Sequence, residues 1–221
     1  MSGSECKPDR AQPSRNMNTL NASQTDALAE LINIAFGLTG AKLSEISGSR
    51  VRLNVPVIGI HPVQSLSTEL EPFLKGPAVS VHQVFSGPIS GDAILLLDYE
   101  AAVKLSNLLV EEDLRSENFD ASTGEILTEA GNMLLSACLG MFGNLLEVRV
   151  TFSMPKLHLD SLEQFLTSIS IGEDELRYAV VITASFNIVA QGAEGRIVIV
   201  LGVSSLERLI QAVERWETQS S

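Results

Sequence analysis

Two short stretches of this chain place a carboxylate and a carboxamide at the same spacing, Glu30-Leu-Ile-Asn33 and Glu129-Ala-Gly-Asn132. An acidic residue precedes each glutamate by four positions, Asp26 and Glu125, and a proline follows each asparagine after 22 intervening residues, Pro56 and Pro155. With each residue type near 5% of a chain, one Glu-x2-Asn-x22-Pro match is expected only about 0.03 times in a protein of this size. One such pair would be read as a solvated helix face, but two at equivalent points call for a common origin. Solvent-face identities drift first, so their retention points to use. The residue types suit work beside an anion. A carboxylate can hold a cation, and a carboxamide both donates and accepts hydrogen bonds without adding charge.

The elements that must carry these residues are helices. Residues three and four apart lie side by side on a helix. With Leu28 set at zero and 100° per residue, Asp26, Glu30 and Asn33 fall at about 160°, 200° and 140°, and Gly37 at about 180°. Leu31, Ile32, Ala35 and Phe36 take the opposite, core-facing stripe. In the second stretch Leu127, Ala130, Leu134 and Cys138 form the core face. Glu125, Glu129 and Asn132 repeat the outward stripe, with Ser136 standing where Gly37 stands.

The rest of the chain is also written twice. A helix from Thr25 to Leu43 precedes an extended run, Arg50 to Pro56. Two β-branched or aliphatic runs follow, Ala78–Phe85 and Asp92–Leu97, and then a helix, Tyr99–Val110. The second copy has a helix from Thr123 to Leu145, the run Glu147 to Pro155, the runs Arg177–Asn187 and Arg196–Leu201, and a helix from Ser204 to Trp216. The order αβββα, twice, predicts an α/β (α+β layered) fold with a pseudo-two-fold axis. Six mostly antiparallel strands form one sheet, and the two long helices pack on it. Three strands cannot bury enough surface alone, so residues 20–216 are expected to be one domain with halves 20–112 and 118–216. Residues 1–19 read as a disordered leader and 217–221 as a disordered tail.

Composition narrows the function. The chain has 221 residues, 45% of them hydrophobic, and a formal net charge of -12. That charge disfavours nucleic acid and anionic membranes as partners. No apolar run is read as membrane-spanning and no secretory signal is read at the N-terminus, so a cytoplasmic location is expected. Cys6, Cys138, His61, His82 and His158 are scattered, without metal-ligand spacing or a disulfide framework.

The paired motifs resemble the CheC/CheX/FliY family of chemotaxis phosphatases, whose pattern is Asp/Ser-x3-Glu-x2-Asn-x22-Pro. Asp26-x3-Glu30-x2-Asn33-x22-Pro56 matches it throughout. Glu125-x3-Glu129-x2-Asn132-x22-Pro155 departs only at its first position. Two intact motifs resemble CheC, whereas CheX would show one and FliY would add a C-terminal flagellar-switch domain. Gly131 before Asn132 keeps a glycine seen in the family, where the first helix has Ile32.

The resemblance implies a hydrolase whose substrate is the aspartyl phosphate of a CheY-like response-regulator receiver domain. It implies no cofactor on this chain, the Mg²⁺ being the receiver's. Asn33 and Asn132 would position the attacking water, the carboxamide oxygen accepting from it. Glu30 and Glu129 would hold the receiver's lysine. Asp26 and Glu125 would support the site, and Gly37 and Ser136 would allow close backbone approach. Pro56 and Pro155 would be structural. Some family members also bind a CheD-like deamidase. The alternative is a non-catalytic receiver-binding or flagellar-switch protein. A carboxylate-pair hydrolase would need Glu30 and Glu129 to share one cleft, which separate exposed helix faces do not provide.

Overall fold

The computed structural model describes residues 21–47, 50–54, 57–74, 76–110, 115–160, 164, 177–188 and 191–220. Helix α1 spans Ala22–Ser47 and is started by a reciprocal cap. The Gln24 backbone N–H donates to Asn21 Oδ1 at 2.9 Å and the Asn21 N–H donates to Gln24 Oε1 at 2.8 Å. This capping box satisfies two of the donors a helix start leaves open. Strands β1 (Val51–Leu53) and β2 (Val57–Pro62) follow, then a 3₁₀ turn, Val63–Ser65, and the short helix α2 (Leu66–Leu70). Strands β3 (Ala78–Ser86) and β4 (Gly91–Asp98) form a hairpin before α3 (Tyr99–Leu108).

Helix α4 (Ala121–Leu145) begins at Asp120, whose Oδ1 accepts from the Thr123 N–H at 2.8 Å. Then come β5 (Thr151–Phe152), β6 (Lys156–Asp160), β7 (Arg177–Ile188), β8 (Gln191–Gly202) and α5 (Val203–Ser220). Helix α5 runs past Trp216 to Ser220, so residues 217–220 are helical where a disordered tail was expected. No apolar residue follows Trp216 to mark a buried face, although the backbone hydrogen bonds continue.

Among the described residues all strand pairings are antiparallel, and the sheet runs β1-β7-β8-β4-β3-β5, with β2 also on β7 and β6 also on β3. The sequence predicts six strands, and the described residues form eight, because each edge is made of two short segments. Strands β2 and β6 carry no strand signal of their own in the sequence. Their short sequences follow prolines, and what makes them strands is the ladder on which they lie, Ile58 opposite Ile182 and His158 opposite Ser80. Proline has no N–H to donate, so it is tolerated at such an edge. Pro155 therefore stands between β5 and β6 and interrupts the edge rather than closing it. Pro56 lies outside the described residues.

The edges also tie the two halves of the sequence together. Strands β1 and β2, from the first half, complete the sheet on β7, and β5 and β6, from the second, complete it on β3. The central strands are apolar on both faces, as a doubly covered sheet requires. Ala93, Leu95 and Leu97 join Ile197 and Ile199 beneath the long helices. Ile94, Leu96, Val198 and Val200 face the other way and pack with Leu66 and Leu70 of α2. The long helices pack against each other, α4 over β3 and β4 and α1 over β1 and β2.

By length and composition α4 is long and apolar enough to cross a bilayer, although no apolar run in the sequence reads as membrane-spanning. It is a core helix, with Leu127, Leu134, Leu135 and Phe142 fully buried against the sheet and its neighbours.

Candidate functional site

The helical stripes lie largely where the spacing put them. Leu28, Ile32 and Phe36 are buried in α1, as are Leu127, Ala130, Leu134 and Cys138 in α4. Asp26, Glu30, Glu125, Glu129 and Gly37 are exposed, whereas Asn33, Asn132 and Ser136 are half-buried. The asparagines thus sit at the flank of each stripe, where helix meets neighbour, rather than squarely outward. Pro155 is half-buried.

Two hollows border the α4 residues. Glu125 and Glu129 line one of about 620 Å³, with Phe119, Gly124, Thr128 and Leu157. Asn132 and Ser136 line a groove of about 950 Å³ between α1 and α4, floored by apolar residues including Leu31, Ile34, Leu38 and Met133. A partner's polar group can therefore reach Glu129 and Asn132 from adjacent openings on one helix.

Around Asn132 the polar atoms are tied to the sheet. Gln83 of β3 is 2% exposed. Its Nε2 donates to Asn132 Oδ1 at 3.2 Å and to the Ser153 carbonyl at 3.0 Å. Ser136 Oγ donates to the same Asn132 Oδ1 at 3.4 Å. Ser153 lies in the corner between β5 and β6 and is pinned to Val84 by two bonds, its N–H to the Val84 carbonyl at 2.8 Å and the Val84 N–H to its Oγ at 2.9 Å.

The short reach from α4 to β3 depends on Gly131. A Cβ there would stand 2.8 Å from Val81 Cβ, so only glycine lets the helix lie this close. In α1 the buried Ile32 occupies the matching place. Among the described residues no side-chain hydrogen bond is made by Asn33.

At Asn132 the carboxamide oxygen is engaged inside the protein, accepting from Gln83 and Ser136. Sequence reasoning missed Gln83 and Ser153. A lone glutamine in a strand carries no motif, and only strand pairing brings it under α4. Cys138 is buried, and desolvation pushes its thiol up to about 12. It has no part in a polar site. Asp120, which caps α4, is held below the usual aspartate range by its bonds from Thr123.

A layered α+β domain with a carboxylate–carboxamide pair on each of two long helices is the class these observations define, and known proteins share its fold. The FliY structure from Thermotoga maritima superposes with a TM-score of 0.70 at 18% identity, covering 89% of this chain and 98% of that one. The FliM middle domain from H. pylori superposes with a TM-score of 0.62 at 13% identity, covering 87% of this chain and 99% of that one. In sequence the chain is 22% identical over 176 residues to the flagellar motor switch phosphatase FliY of Bacillus subtilis. That match takes in 78% of this chain but only 44% of the relative's length, so the chain spans less than half of the protein it resembles. No family model matches the chain. The likeness to FliY thus holds in both sequence and fold.

Proposed function

We propose that this protein is a cytoplasmic phosphatase of the chemotaxis type, acting on the aspartyl phosphate of a CheY-like receiver domain at two sites, Glu30/Asn33 and Glu129/Asn132. The observation that carries this reading is the repeated pair itself, an exposed glutamate and a half-buried asparagine three residues apart on each long helix. Its likeness to a protein called a motor switch phosphatase supports the same reading.

In the reaction a water oxygen attacks phosphorus. The bond from phosphorus to the aspartyl oxygen breaks, its electron pair stays with the departing carboxylate, and the water's proton leaves on the inorganic phosphate or to solvent. The transition state is loose, so positioning and charge placement supply most of what a protein can add. Glu30 and Glu129 hold the receiver's lysine, and the neutral carboxamides reach the phosphoryl group without repelling it. Asp26 and Glu125, one turn earlier, support the contact. Gly37 and Ser136 keep the adjoining surface small. The receiver brings its own Mg²⁺, and a CheD-like deamidase is a further candidate partner.

The test is release of phosphate from a phosphorylated receiver by the wild type, Asn33→Ala, Asn132→Ala and the double variant. Each single variant is expected to keep the other site's activity, and the double variant to fall to the receiver's own rate, a loss on the order of a hundredfold or more. Full activity in a natively folded double variant would end this reading. A second reading, a switch component that binds a receiver without hydrolysis, draws on the likeness to FliM middle domains. It is favoured if the wild type binds a beryllofluoride-activated receiver but releases no phosphate.

A further inference from the structure

We infer that Gln83 is a positioning residue for the second site, locking the Asn132 carboxamide with its NH₂ edge turned outward. The inference rests on the functional reading above for its role in turnover, but the orientation follows from hydrogen bonding alone. The Ser153 carbonyl can only accept, so the Gln83 atom 3.0 Å from it must be the NH₂ group. That same nitrogen lies 3.2 Å from the Asn132 side chain, so the Asn132 atom facing it must be the oxygen. Ser136 Oγ, 3.4 Å away, can donate to that oxygen as well. Asn132 Nδ2 is left as the atom turned away from the sheet. A carboxamide could otherwise present either edge.

Three sequence features converge on this arrangement. Gly131 lets α4 approach Val81 closely enough for strand β3 to reach the helix. The corner before Pro155 delivers the Ser153 carbonyl, held by its two bonds to Val84. Gln83 itself is a poor choice for stability, because its Oε1 is buried and finds no partner among the described residues. An apolar side chain of similar length would leave no such atom. A buried amide kept in spite of an unsatisfied oxygen is best explained by what its nitrogen holds. The second site therefore presents a fixed N–H donor, suited to an oxygen of the phosphoryl group or of the attacking water. The two sites differ in this respect, since Asn33 makes no such bond among the described residues.

The experiment uses the full chain with Gln83→Met, which keeps length and removes the donor. In an Asn33→Ala background only the second site turns over. There Gln83→Met is expected to lower kcat about tenfold or more with KM for the phosphorylated receiver unchanged, because the buried residue touches no partner. In an Asn132→Ala background the same change is expected to leave the first site's kcat and KM as they were. Equal losses in both backgrounds would mean Gln83 merely holds the fold, and no loss in either would mean it positions nothing. Both results overturn the inference.

A measurement that needs neither turnover nor a stable variant is side-chain amide NMR of the wild type. The Gln83 NH₂ protons should exchange slowly and the Asn132 NH₂ protons fast. Slow exchange at Asn132 with fast exchange at Gln83 would reverse the orientation and refute the assignment. If the Asn33→Ala/Asn132→Ala variant kept full phosphatase activity while the NMR result stood, the functional reading would fail and the positioning of Asn132 would survive.

Discussion

Replacing Gly131 by alanine tests the close packing on which the second site depends. The new Cβ would lie 2.8 Å from both Cβ and Cγ1 of Val81 and 3.0 Å from its Cγ2. Ordinary carbon contacts begin near 3.5 Å, so about 0.7 Å must be found. Rotating Val81 cannot supply it, since its own Cβ is one of the clashing atoms. The helix or the strand must move, and such overpacking costs about 1–3 kcal/mol.

Alanine also gains about 1 kcal/mol over glycine through helix propensity, which would blur the measurement. Gly140→Ala on the same helix removes that ambiguity, because nothing lies within 4 Å of a Cβ there. The gain is common to both variants, so their difference isolates the clash. In urea unfolding Gly140→Ala is expected to be stabilised by roughly 0.5–1 kcal/mol, with Gly131→Ala about 1–3 kcal/mol below it. A shift of that size would also stretch the 3.2 Å bond from Gln83 to Asn132 beyond hydrogen-bonding length. Equal unfolding midpoints for the two variants would refute the packing account and remove the reason given for glycine before Asn132.

The remaining expectations concern a buried thiol and two helix caps. Cys138, in a Cys6→Ser background, should resist thiol reagents in the native protein at pH 8 and react fully in urea; rapid native labelling would contradict its burial. Its thiol ionises near the ordinary 9.0 when unfolded and only near about 12 when folded. Its contribution to stability is therefore complete below pH 9 and is lost as pH rises from there toward about 12, which wild-type and Cys138→Ala unfolding curves at pH 8 and 10.5 would show. Asp120 has the opposite sign, its folded value lying below the ordinary 3.8 of an aspartate because Thr123 donates to its carboxylate. It stabilises above that pH and loses its effect as pH falls through its folded value. The stability gap between wild type and Asp120→Ala should thus narrow in acid, and a gap constant down to pH 3 would contradict it. Asp98→Ala, which removes the acceptor for the Ala101 N–H at 2.7 Å, should cost about 1 kcal/mol in the same assay.

The sequence alone determined the features that depend on local periodicity. Helical spacing placed Leu28, Ile32 and Phe36 inward and Glu30 and Glu129 outward, because 100° per residue leaves one buried stripe and one wet one. Continuous aliphatic runs announced the central strands, whose two buried faces admit no polar alternation. The motif residues were legible for the same reason, since a fixed spacing on one helix needs no tertiary information.

Tertiary structure decided what depends on pairing across the chain. The edge strands Val57–Pro62 and Lys156–Asp160 are short and follow prolines, and they become strands only against β7 and β3. Gln83 and Asn132 are 49 residues apart, and nothing local in either predicts a bond between them. That contact, and with it which edge of the Asn132 carboxamide faces a partner, exists because β3 passes under α4 at a glycine. The direction of a hydrogen bond is fixed by its far partner, and the far partner is chosen by the fold.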